Sequence, residues 1–514
     1  MDEATSSPAT SGLVSTCIAL FLIGLGLALY RPWSFAPFDV TDFPEFVPLL
    51  KDADTVLGRL QLVIGYFRDH GRSNILTSAL LVANWELFGV SAAGWRWSQA
   101  FVMALLVFVV VRFLVRLEYR PVAVLAGAGL FVIGPTAVES WMRLTGEPVA
   151  AIFFLLTLGF TISRGRDLEG RAPLIVALGC GFMVLAKEVM VALVPIVLIV
   201  GLAWVPSSGV GVLRVSPRGR RLLLQAAGVL APIGLFMFLG MAGAEGSAYS
   251  RSYVPEQYLW LKWLIDLILI MLPFADVNQP ITVSTGVFFG LLCLGLIGVA
   301  MGPPSRKRRG YSVLILMLSI VLAGATIYSP WPRMERFYAL PFLVGTAGLL
   351  AAGVDYLGSR GALSQLASWA LVLMLMALPA AAGWGQANET RATRRVNHRL
   401  SATLVQQSPR SVVFGVRHLS DMAWQGRGPA VTRYAQALLG WNAEPLAVDE
   451  VCELFTERWA DPEDRVLLAA YEGSCGALPT PDLKIVETFD VFDQSRWRFV
   501  EEEVSVLVRW SPRE

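Results

Sequence analysis

Eleven apolar runs, each long enough or nearly long enough to cross a bilayer, decide what this chain can fold into. They fall at 12–30, 97–117, 122–138, 148–163, 174–186, 189–205, 222–242, 284–301, 311–328, 339–357 and 368–384. A hydrocarbon core about 30 Å thick takes about 20 residues of helix. With no water there to serve the backbone, such runs must satisfy their own hydrogen bonds, which makes them helices. The chain therefore reads as an all-α polytopic membrane protein of about 11 transmembrane helices. Its composition agrees: 55% hydrophobic and 16% charged residues among 514, with a mean hydropathy of +0.57, is more than a soluble domain needs to fill its core. The first run is preceded by Asp2 and Glu3 rather than basic residues, and no small-x-small cleavage site follows Leu29, Tyr30 and Arg31. It reads as an uncleaved first span.

The net charge of +2 says little, because in a membrane protein the placement of charge decides. The connections alternate sharply. One set carries Arg112, Arg116 and Arg120; Arg164, Arg166 and Arg171; Arg214, Arg218, Arg220 and Arg221; and Arg306, Lys307, Arg308 and Arg309. The intervening set has isolated cations such as Arg143, Lys187, Arg333 and Arg336. The first set is assigned to the cytoplasm, in a cytoplasmic (inner) membrane with the N-terminus inside, although Asp2 and Glu3 mildly oppose this. Residues 1–384 then form a transmembrane module, and both the loop 31–96 and the region 385–514 are extracytoplasmic. The stretch 258–272 contains Lys262 and Asp266, and counting it as a span would place the basic 306–309 loop outside; it is assigned to the outer interface. Within the outer loop, 56–67 and 75–88 are apolar at helical spacing but interrupted by Gln61, Asn84 and Glu86, as in interfacial helices.

Beyond Trp384 the composition changes. Segments 411–416 and 465–470 read as strands, 431–439 as a helix, and 484–489 with 504–510 as strands flanking a turn near 493–495. This predicts a small α/β domain of about 120 residues. Cys452 and Cys475 lie in it and could pair in an oxidising compartment, whereas Cys17, Cys180 and Cys293 lie in apolar runs.

The expected cytoplasmic connections are short and contain no GxxxxGK[ST] loop, so they cannot house a nucleotide. An enzyme of this kind would work on the outer side with an energised substrate that arrives attached to a lipid. Three features point there. Asp39, Asp42 and Glu45 crowd the segment directly after the first span. The run 174–186 spans roughly 20 Å as a helix against a core of about 30 Å, so Lys187 and Glu188 sit below the outer surface. Each unscreened charge would cost about 2.5 to 3.5 kcal/mol there unless the pair faces a wet cavity. The short runs 122–138 and 148–163 likewise bracket Glu139, Arg143 and Glu147.

In this order and sidedness, the acidic residues after the first span, Leu87-Phe88-Gly89, the Arg143–Pro148 entrance, Ala186-Lys187-Glu188 and the late Glu335–Pro341 segment resemble integral-membrane GT-C glycosyltransferases, the protein O-mannosyltransferase and lipid A aminoarabinose transferase kinds. The resemblance covers roughly 12–384. It implies inverting transfer of a sugar from a polyprenyl-phosphate donor to a lipid, glycan or protein acceptor, within membrane lipids and without nucleic acid. The family's base is an Asp in Asp-Glu-x-x-Tyr/Phe. Asp39-Val40-Thr41-Asp42-Phe43 matches at the first and last positions, with Val40 in the acidic second place, so Asp39 is the candidate base and Asp42 the candidate helper. Arg72, Lys187 and Arg336 become phosphate-side cations, with Arg333 and Tyr338 beside them and Arg143, Glu147 and Glu188 lining the site. No dedicated cofactor is implied, and a divalent cation bridging Asp39 and Asp42 is compatible.

Plainer readings stand beside these. Asp39 and Asp42 can be loop or N-cap carboxylates, Arg72 can snorkel to headgroups, and Arg143 with Glu147 or Lys187 with Glu188 can be ion pairs that make charge tolerable at depth. A transporter or lipid flippase also fits the span count and buried charges, as does a scaffold whose outer domain binds a partner. The absence of a clear internal repeat weighs against an inverted-repeat transporter.

Overall fold

The computed structural model describes residues 8–33, 46–69, 72, 74–142, 145–164, 169–203, 217–242, 254–271, 304–331 and 336–407. It also describes four positions between 289 and 297, and the strand residues 411–414, 444–447, 466–471, 483–487, 491–493, 498–500 and 505–510. The chain divides into two compact units: Met1–Pro32 with Ile64–Ala83 and Trp95–Trp384, and Trp33–Val63 with Asn84–Gly94 and Gly385–Glu514.

Among the described residues, six helices are long and apolar enough to cross a membrane: Gly12–Tyr30, Ala92–Arg116, Glu147–Arg164, Gly219–Phe238, Tyr311–Tyr328 and Ala362–Gly385. The protein is an integral membrane protein. Run 122–138 departs from the single straight span expected: Pro121–Ile133 and the following short helix bend by 56° at their junction. The cause is Pro135, which has no N–H for the carbonyl of Phe131 and pushes Gly134 out of the helical region, to φ −78° and ψ 157°. In lipid those freed carbonyls need substitutes. The indole N–H of Trp141 donates to Phe131 at 3.0 Å, and the hydroxyl of Tyr30 donates to Val132. Shorter apolar helices account for runs 174–186, 189–205 and 339–357, as Ala172–Ala186, Glu188–Leu202 and Leu343–Gly358. Apart from isolated positions, the run 284–301 lies outside the described residues.

Pro121–Ile133 is buried along nearly its whole length and packs between Pro8–Tyr30 and Leu343–Gly358. The last contact depends on Gly127, where a β-carbon would come within 2.6 Å of the Ala347 carbonyl oxygen. A second layer runs from Glu147–Arg164 through Ala172–Ala186 to Pro217–Ala242, and a third joins Leu259–Met271, Pro304–Tyr328 and Leu343–Gly358. Arginines fix one end of the bundle. Arg112 donates to Ser15 at 3.2 Å, while Arg120 gives its backbone N–H to Asp355 at 3.0 Å and its guanidinium to the Gly358 carbonyl. At the other end Arg31 lies 3.9 Å over the Trp384 ring. The stretch expected at the interface forms Leu259–Met271. Its buried positions are Asp266 and Ile270, one turn apart; Lys262 grips the Asp266 carboxylate, and Thr346 donates to Ile270 at 2.9 Å.

In the second unit, Arg59 donates to Leu50 at 2.8 Å and pairs with Glu86. The strands β1 (Ser411–Phe414), β2 (Glu444–Ala447), β3 (Val466–Tyr471), β4 (Leu483–Glu487) and β7 (Ser505–Trp510) form one sheet in the order β2-β1-β3-β7-β4. β1 is parallel to β2 and β3, and β7 is antiparallel to β3 and β4. β5 (Val491–Asp493) and β6 (Arg498–Val500) make a separate antiparallel pair, inserted where the sequence suggests a turn. The helix expected at 431–439 and the cysteines 452 and 475 lie outside the described residues.

Candidate active site

Helix Ala172–Ala186 ends where its apolar run ends. Lys187 takes an extended backbone, with φ −155° and ψ 121°, and leads into a single-stretch 3-10 turn, Glu188–Leu193. That stop leaves the Ala186 carbonyl without a helical partner, and Thr77 supplies one by donating its hydroxyl at 2.8 Å. Gly146 seals the contact. A β-carbon there would lie 2.2 Å from the Thr77 hydroxyl oxygen and 2.9 Å from the Ala186 carbonyl oxygen.

The next residue, Glu147, opens helix Glu147–Arg164, where the positive end of the helix dipole favours a carboxylate. Its Oε1 lies 2.9 Å from Lys187 Nζ, and the two side chains are 1% and 7% exposed. The start of helix Glu147–Arg164 is thus joined to the end of helix Ala172–Ala186 by a buried ion pair. Lys187 also sits 5.1 Å from the centre of the Tyr338 ring. Tyr338 stacks on Tyr328, with centroids 5.6 Å apart and planes 16° from parallel. Glu188 adds to the attraction that Lys187 feels from Glu147, and Arg72 opposes it, so Arg72 belongs to the same electrostatic cluster.

Of the residues expected in the site, Arg72, Glu147, Lys187, Glu188 and Tyr338 come together. The direct partner of Lys187 is Glu147 and not its neighbour Glu188. Asp39, Asp42, Arg143 and Arg333 lie outside the described residues. The backbone of Arg336 is in the turn Arg336–Ala339, but its side chain is outside the described set. Tyr328, Thr77 and Gly146 were not expected from sequence. Tyr328 could have been found as a phenol closing an apolar run shortly before Tyr338, whereas the roles of Thr77 and Gly146 depend on packing between distant segments.

Such a cluster can hold an anion between Arg72 and Lys187 while Glu147 keeps the lysine charged and oriented. Among the described residues, no group of three or more His, Cys, Asp or Glu side chains could hold a metal ion.

No protein-family model matches the sequence, and neither does any curated protein. Solved structures do match. ArnT from Cupriavidus metallidurans bound to undecaprenyl phosphate aligns over 99% of this chain and 100% of its own, with a TM-score of 0.50 and 13% identity. The apo state of that protein aligns over the same shares, with a TM-score of 0.51 and 12% identity. The arabinofuranosyltransferase AftD from Mycobacteria aligns with a TM-score of 0.48 at 15% identity, and this chain spans 42% of it. At such identities the likeness concerns architecture alone: the chain has the fold of ArnT.

Proposed function

We propose that this protein is a glycosyltransferase that moves a sugar from a polyprenyl-phosphate carrier to a lipid, glycan or protein acceptor on the outer face of the cytoplasmic membrane. The observation that carries the reading is the buried Lys187–Glu147 pair, with Arg72 and Tyr338 beside it, on a fold shared with a protein whose structure holds undecaprenyl phosphate.

In this scheme Asp39 takes the proton from the acceptor hydroxyl or amine, with Asp42 assisting. The acceptor atom attacks the anomeric carbon from the face opposite the phosphate, so configuration inverts. The bond to the phosphate oxygen breaks, and its electron pair leaves with the carrier. The departing charge is met by Arg72, Lys187 and Arg336 with Arg333, while Arg143, Glu147, Glu188 and Tyr338 shape the surroundings. A divalent cation between Asp39 and Asp42 is compatible with the scheme and not required by it. The alternation of basic connections supports a cytoplasmic N-terminus and an extracytoplasmic α/β region at 385–514.

The test uses full-length protein in lipid nanodiscs, a radiolabelled polyprenyl-phosphate sugar and an extract of membrane acceptors. Label should pass to the acceptor, and Asp39→Asn should reduce the rate by about 100-fold or more while the protein stays folded. Full transfer by both Asp39→Asn and Asp42→Asn, or lipid movement across the bilayer with no sugar transferred, would exclude it.

A further inference from the structure

Around the Lys187–Glu147 pair, several buried oxygen atoms have unmet hydrogen-bonding capacity. Glu147 Oε2, Glu188 Oε2 and the Tyr328 hydroxyl are buried with no hydrogen-bond partner among the described residues, and Glu147 Oε1 meets Lys187 as an ion pair without a directed hydrogen bond. Buried polar groups in native proteins are almost always satisfied, so several unmet ones in one place ask for a missing group. They are in one place. Tyr328 is within electrostatic reach of Glu147, Glu188, Tyr338 and Arg72, and the turn carrying Glu188 packs on the helix that ends in Tyr328.

The chemistry of the missing group follows from what these atoms can do. Carboxylate oxygens only accept, so the group must donate. A carrier phosphate, ionised and rich in acceptors, cannot serve them and belongs with the cations. A sugar hydroxyl donates and accepts, which suits both the carboxylates and the Tyr328 hydroxyl. A sugar carboxylate brings a negative charge toward two carboxylates in a medium of low dielectric, where like charges repel strongly.

We propose that Glu147, Glu188 and Tyr328 receive the glycosyl unit of the donor through its hydroxyl groups, and that they select an uncharged sugar over one bearing a carboxylate; this rests on the transferase reading above. The two carboxylates are the selecting charges, and the Tyr328 hydroxyl is the contact that can be removed without disturbing the ion pair.

Three lipids test this on full-length protein in nanodiscs: undecaprenyl phosphate, undecaprenyl phosphate glucose and undecaprenyl phosphate glucuronate. The last two differ at one carbon, a hydroxymethyl against a carboxylate. The glucosyl lipid should bind about tenfold or more tighter than the glucuronosyl lipid. Tyr328→Phe should weaken the glucosyl lipid by about five- to twentyfold and leave undecaprenyl phosphate unchanged. Glu188→Gln should narrow the gap between the two sugars. Equal binding of the two sugar lipids by the native protein, or an unchanged glucosyl affinity in a folded Tyr328→Phe, overturns the proposal, while the sugar-transfer assay above decides the transferase reading separately. Failure to bind any of the three overturns both.

Discussion

Tyr30 and Trp141 stack at 5.3 Å between ring centres, and each donates to a carbonyl in the last turn of the helix that Pro135 interrupts. The two rings therefore do for the broken span what its own next turn would otherwise do. Tyr30→Phe keeps the stack but strands the Val132 carbonyl where no water can replace the donor. The expected loss is about 1 to 3 kcal/mol. Thermal unfolding in detergent, compared with the native protein, measures it; an unchanged midpoint would show that the bend satisfies itself.

Breaking the Lys187–Glu147 pair separates stability from chemistry. Lys187→Met leaves a buried carboxylate alone and should cost about 3 to 5 kcal/mol. Changing both residues to apolar ones of similar volume should recover most of that, since a buried pair gains little over well-packed apolar side chains. Sugar transfer should stay lost in the double variant. Recovery of transfer along with stability would reduce the pair to a structural role.

The close approach at Gly146 predicts a steric effect at a distance from the proposed reacting atoms. Gly146→Ala must push Thr77 away from the Ala186 carbonyl, and about 1 to 3 kcal/mol of stability should go with it. Thr77→Ala should relieve the crowding from Gly146→Ala while losing the hydrogen bond, so the two losses should not add. Chemical denaturation of the four proteins provides the cycle.

Arg59 permits a comparison of two effects in one side chain. Its ion pair with Glu86 is partly solvated, the Glu86 carboxylate being 35% exposed, so Glu86→Gln should cost less than about 1 kcal/mol. Arg59→Ala also abandons the carbonyl of Leu50, a fully buried residue, and should cost about 1 to 2 kcal/mol more. Amide exchange across Phe46–Lys51 would rise in the second variant and not in the first.

What the sequence revealed was the part governed by local pattern. Apolar length points to the helices, and the brevity of run 174–186 singles out Lys187, which the structure buries at the end of its helix. Glu147, Lys187 and Glu188 stand out as charges at the ends of short apolar runs, whereas Arg72 and Tyr338 are marked only by the family resemblance. Pairing was not legible. Glu188 adjoins Lys187 in the chain, yet the contact goes to Glu147, because facing helix ends are set by how Glu147–Arg164 packs on Ala172–Ala186. Pro135 was visible, and its effect on run 122–138 could have been read from it. The parallel pairing of β1 with β2 and β3 depends on crossovers that strand periodicity does not encode.

Under the proposed function, the union of Lys187 with Glu147 has a bearing on how a lipid-borne donor is admitted. A lone ammonium at that depth would hold any passing lipid phosphate, and a membrane offers those in vast excess over the carrier. With its charge already answered from within the protein, the lysine gives little welcome to a stray headgroup, and a visitor must bring enough further contacts to share it. Under the proposed function, discrimination between the abundant and the scarce lipid thus begins before any donor is bound.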